Sequence, residues 1–92
     1  MSDNAKIFGC QIAAARALAR MEQTDLAKAA NISVPTLRRM EASEGPAAGM
    51  ANNVGAVRAA LEAAGVDFIP ENGGGAGVRL KKANSADEGA ES

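Results

Sequence analysis

The chain has 92 residues and a formal net charge of −1, with no histidine, tryptophan or tyrosine, one cysteine and two phenylalanines. That length suits one compact domain with a modest core, and so few large side chains suggest that partner surface contributes to stability. Cys10 alone forms no internal disulfide, and without histidine there is no zinc or haem ligand set, so neither metal nor cofactor is expected.

In chain order, residues 1–5 are small and polar; Phe8, Ile12, Ala15 and Ala19 then recur at helical spacing in an alanine-rich stretch, predicting a helix over 7–20. Cys10 reads as a small apolar residue of that helix rather than a redox sensor. A second, two-turn helix fits Gln23 to Ala30, with Leu26, Ala27 and Ala30 on one side and Glu22 and Asp25 near its positive end. Asn31 tolerates the left-handed conformation that ends a helix, so the chain turns there and Ile32 reaches back into the core.

The third helix has a strong start signal, since Ser33 can cap free amides and Pro35 suits a first turn, although either Ser33 or Val34 can be the formal cap. Leu37 and Met40 face the core, Thr36, Arg38 and Arg39 fall on other faces, and the helix is expected to end near Ser43 to Gly45. Glycines and a proline make 44–51 a loop. A fourth helix follows from Asn52 or Asn53, with Val54, Val57, Leu61 and Ala64 on one stripe; it ends at Gly65 and closes the core over the first helix.

After Gly65, the runs Val66 to Ile69 and Val78 to Leu80 are β-prone and joined by a glycine-rich segment, predicting a small two-stranded appendage. The three consecutive glycines are a flexible turn and not a phosphate loop, because no Gly-Lys-Ser/Thr and no helix start follow them. From Ala83 the sequence is small, polar and acidic, and is expected to be a disordered tail.

No apolar run approaches the roughly 20 residues a bilayer crossing needs, and the first residues lack the pattern of a secretion signal. No membrane association and a cytoplasmic location are therefore expected. Charge is unevenly spread: Lys6, Arg16, Arg20, Lys28, Arg38, Arg39 and Arg58 outnumber Glu22, Asp25, Glu41 and Glu44, whereas acids exceed bases after Arg58. A polyanion should meet the N-terminal part.

Two helices joined by a tight turn, the second opening on a polar cap and carrying adjacent arginines, have the geometry that places one helix in a major groove. At these residues, from Gln23 through Asn31, Ser33, Pro35 and Arg38 to Glu41, the sequence resembles the Cro and phage-repressor type, or XRE family, of transcriptional regulators. The likeness covers roughly residues 8 to 65. The stretch Val-Asp-Phe-Ile-Pro-Glu-Asn-Gly-Gly-Gly at 66–75 is similar to one that follows the helices in short bacterial members, extending the likeness to about Lys82.

The resemblance implies a mainly α, compact four- to five-helix lambda-repressor-like helix-turn-helix domain over 1–65; beside it stand the β-hairpin over 66–82, whose apolar Val66, Phe68, Ile69, Val78 and Leu80 suggest dimerisation together with the fourth helix, and the tail over 83–92. It implies major-groove binding of a double-stranded DNA operator by a recognition helix at 33–43, in a homodimer that regulates transcription as a repressor. Gln23 matches a glutamine that grips a DNA phosphate together with the helix end, and Ser33, Val34, Pro35 and Thr36 match positions presented to base edges and phosphates. Val34 and Pro35 lack paired hydrogen-bonding groups, which leaves them apolar contact with thymine methyls or a purely helix-starting role. Arg38 and Arg39 cannot point the same way, so one serves bases and the other phosphate, with Arg39 assigned to the groove. Arg16 and Glu41 match a salt bridge joining the first helix to the end of the recognition helix. Glu22 departs from the pattern, standing where Ser, Thr or Asn commonly caps, and Asn31 replaces a frequent turn glycine.

An enzyme is not expected: there is no histidine, no Cys-His or Ser-His pairing and no recognisable acid and base pair of carboxylates. The alternative from another class is a protein-interaction module, such as an antitoxin that uses the hairpin and tail to bind a partner protein.

Overall fold

The computed structural model describes residues 6–71 and 73–81, so the tail expected over 83–92 lies outside the described residues. The chain is mainly helical, with α1 at Gly9–Ala19, α2 at Gln23–Ala30, α3 at Val34–Glu41 and α4 at Ala51–Ala63, followed by β1 at Val66–Ile69 and β2 at Gly77–Leu80. Among the described residues, no helix is long and apolar enough to cross a membrane.

Local chemistry sets most of the helix ends. The backbone N–H of Phe8 donates to Gln11 Oε1 at 2.7 Å, which ties down an amide that the first turn of α1 leaves without a helical partner. Arg20, at φ 59°, terminates α1 in the left-handed region, and Asn31, at φ 61°, terminates α2 in the same way. Asparagine suits that conformation through its short polar side chain; Arg20 adopts it without that help. The Glu22 N–H donates to Asp25 Oδ2 at 3.0 Å, so the start of α2 is closed from inside the helix by Asp25. Ser33 is the residue that caps α3, accepting the Thr36 N–H at 3.2 Å, and Pro35 sits in the first turn where its missing N–H costs nothing.

Helix α3 is shorter than expected, ending at Glu41 rather than near Ser43 to Gly45. Ser43 accounts for this. Its hydroxyl donates to Arg39 O at 3.0 Å and accepts the Ala48 N–H at 2.8 Å, pulling the chain off the helix axis toward 46–48.

Every helix and β1 contribute to one core, whose largest fully buried side chains are Ile12, Leu26, Leu37, Met40, Val57, Leu61 and Val66. Each such side chain contributes on the order of 1.5–3 kcal/mol of burial free energy. The expected inward stripe of α1 shifts at its start: Ile7 is buried, while Phe8 is half-buried at the N-cap position. Ala64 was placed on the buried stripe of α4 but follows the helix as an exposed residue, because the chain is already turning into Gly65 at φ 101°. Helix α4 packs chiefly on α2, with α1 a smaller partner, rather than primarily over α1 as expected.

The strands pair antiparallel, with Val66 opposite Leu80, Asp67 opposite Arg79, Phe68 opposite Val78 and Ile69 opposite Gly77. The two-stranded hairpin is present but is more than an appendage, since it lies against α1 and α4 with Val66 inside the core and Phe68 and Val78 packed on it. Gln11, only 4% exposed, is the anchor: its Nε2 donates to Gly77 O at 2.9 Å and, more weakly, to Ile69 O at 3.4 Å. Gly9 permits the other close approach. A Cβ there would lie 2.4 Å from Met40 O and 2.8 Å from Ser43 O, so only glycine lets the start of α1 abut the end of α3.

Candidate nucleic-acid interface

The residues singled out in the sequence gather along α2, the turn after it, and α3. Leu37 and Met40 turn inward and are completely buried, which leaves Pro35, Arg38 and Arg39 exposed and Thr36 half-buried. Of the two roles open to Val34, the helix-starting one is the closer to its placement, because its side chain is half-buried and packs on the core. Its position at the first turn of α3, beside the inward Leu37, leaves a smaller outward share than Pro35 has.

Ser33 and Thr36 are bound to each other. Ser33 Oγ donates to Thr36 Oγ1 at 2.8 Å while accepting the Thr36 N–H, so the Ser33 proton is spent and the Thr36 hydroxyl keeps its own proton to donate outward.

Arg16 and Glu41 form a two-pronged ion pair, Nε to Oε2 at 2.9 Å and Nη2 to Oε1 at 3.2 Å, with the side chains 24% and 9% exposed. Arg16 Nη1 also donates to Met21 O at 3.1 Å, so one guanidinium clasps the end of α3 and the link from α1 to α2. The Glu41 hydrogen bond is the main cause that holds Arg16 above the ordinary arginine value, against the opposing effect of burial. With the Glu41 carboxylate ionised, that contribution is present below the ordinary arginine range and fades as pH rises through it.

Gln23 is neither a free first-turn side chain nor an unengaged phosphate ligand. Its Nε2 donates to Glu41 Oε1 at 3.0 Å, and its Oε1 accepts from Arg38 Nε at 3.4 Å. The ion pair therefore extends into a chain of four side chains, Arg16, Glu41, Gln23 and Arg38. Sequence reasoning named all four and missed the Gln23 links at both ends, because residues 15 and 18 apart carry no local signal of contact. Arg39 differs: among the described residues its guanidinium makes no hydrogen bond or ion pair, although its carbonyl accepts from Ser43.

The exposed Glu22 carboxylate lies near enough to Arg16 to act on it electrostatically, so part of its charge is offset within the protein. Elsewhere, an open groove of about 370 Å³ lies between the 46–51 segment and α4, lined mainly by small and apolar residues such as Ile7, Ala47 and Val54. It contains none of the residues gathered on α2 and α3. In comparisons with known proteins, no family model matches the chain and no curated protein matches it.

Proposed function

We propose that the chain is a lambda-repressor-like helix-turn-helix protein that binds double-stranded DNA sequence-specifically and regulates transcription, as a repressor, in the form of a homodimer. The observation that carries this reading is α3 itself: two leucine and methionine anchors inside, two arginines outside, and a carboxylate at its end clamped to α1. Eight residues span about 12 Å, close to the width of a major groove.

Within this reading the Arg39 guanidinium, without a partner among the described residues, reaches base edges, where its paired donors match guanine. Arg38, Gln23 and Thr36 contact phosphates, with Ser33 holding the Thr36 hydroxyl in place, and Pro35, with a lesser share from Val34, touches thymine methyls. Arg16 and Glu41 set the angle of α3. In the dimer, α4 and the hairpin meet their copies. Because Val66 is already buried within the protomer, this contact falls to the exposed Met50 before α4, at 67%, and Leu80 on β2, at 54%.

Replacing Arg38 and Arg39 together by Ala should abolish specific binding to sequences selected from random duplex DNA while helix content stays intact. Wild-type affinity should fall steeply with added salt as counterions are released. Unchanged affinity in the double variant would take both residues out of the interface. The exposed Leu80 favours a second reading, a protein-interaction module such as an antitoxin, which binds a partner protein and shows no such dependence on duplex DNA.

A further inference from the structure

We propose that Glu41, besides holding the fold, is a positioning residue for the Arg38 contact, acting through the Gln23 carboxamide; this rests on the DNA-binding reading above.

Hydrogen-bond polarity fixes the order of these links. A carboxylate only accepts and a guanidinium only donates, whereas a primary amide has one end of each kind. Glu41 takes the Gln23 N–H at 3.0 Å, which fixes the amide nitrogen toward α3's last residue and leaves the amide oxygen for Arg38, 3.4 Å from its Nε. Were the amide turned over, an oxygen would face the Glu41 carboxylate and two donors would face each other at Arg38. Each link of the chain from Arg16 to Arg38 thus has only one satisfactory orientation. Glu41 cannot drift to serve Gln23 better, because Arg16 grips both of its oxygens.

The consequence is a division of labour between adjacent arginines. Arg38 is held by its Nε, and among the described residues its two terminal nitrogens make no other hydrogen bond, so they are available to an anion. Arg39, unheld among the described residues, keeps the rotamer freedom needed to fit a base edge. Gln23 and Arg38 therefore act as one unit at the DNA, and Arg39 acts independently of Gln23.

The test is a double-mutant cycle on binding to a short mixed-sequence DNA duplex at low salt, using the full chain and checking folding by thermal melting. Arg38→Ala should weaken binding about tenfold in the native background and no more than about twofold once Gln23 is Ala. Arg39→Ala should cost the same factor in both backgrounds. Glu41→Ala, measured well below its melting temperature, removes the acceptor and should likewise mask the effect of Arg38→Ala. If it does not fold, Glu41→Asp, which withdraws the carboxylate by one methylene, takes its place, and an undiminished effect of Arg38→Ala in that background overturns the role of Glu41. In the free protein, the Arg38 Nε–H should exchange with solvent faster after Gln23→Ala. Equal factors for Arg38→Ala in both backgrounds, or a matching dependence of Arg39 on Gln23, overturn the proposal. A wild-type chain that ignores duplex DNA overturns the function and this role together, and the Nε–H exchange then reports separately whether the link exists.

Discussion

The α2–α3 region and the hairpin region are held to the same helix, α1, by different chemistry. On the α3 side, α1 contributes Arg16, and the joint is an ion pair with both carboxylate oxygens engaged. On the hairpin side it contributes Gln11, a neutral amide that bonds to carbonyls 58 and 66 residues away. The charged joint sits at the rim, with Arg16 partly in solvent, where it can be extended outward to Gln23 and Arg38. The neutral joint is sealed, and ends where it binds. A working surface and a structural seam can thus grow from one helix, with the choice made by whether the linking group stays in reach of water.

Gly9 precedes both joints and is the most sensitive position beside them. A methyl group there meets backbone oxygens rather than movable side chains, so Gly9→Ala should lower stability by about 3 kcal/mol, the upper range for overpacking. A melting temperature close to wild type would show that the α1–α3 contact yields easily.

Glu41→Ala should act next most strongly. It leaves Arg16 partly buried without its carboxylate and should cost about 2 kcal/mol, below the figure for a fully buried pair because Arg16 retains some water and its bond to Met21. Chemical denaturation measures this, and amide exchange in the hairpin just below the transition should stay near wild type if the two joints are independent.

Gln11→Ala should be the mildest, at about 1 kcal/mol, since the Phe8 N–H loses its acceptor while the hairpin carbonyls keep other partners. Its signature is faster amide exchange in β1 and β2 with DNA affinity unaltered. A loss of affinity equal to that of Glu41→Ala would mean that the seam and the surface are one cooperative unit.

The sequence showed much of the first region and less of the second for a physical reason. Ser33, Pro35, Asn31 and the spacing of Leu37 and Met40 act within one or two turns of themselves, so α2, the turn and α3 were legible. The early stop of α3 was not, because it depends on Ser43 reaching forward to Ala48. Nor were Gly9 and Gln11, which look like a weak helix residue and a polar interruption until α3 and the hairpin are laid against them. Both strands were found, but their attachment was not, since alternation tells which side of a strand is apolar and not what covers it. At the candidate site, the Gln23 bridge required α2 and α3 already laid against each other.

On the proposed DNA-binding reading, the shortness of α3 has an informational consequence. Two turns laid in a groove can inspect about four base pairs, enough to distinguish roughly 256 sequences, whereas a genome presents on the order of a million or more competing addresses. One protomer would therefore find matching tetramers everywhere. A two-fold pair reading about eight positions at a fixed separation multiplies the discrimination, and the spacing between half-sites becomes as much a part of the message as the letters within them.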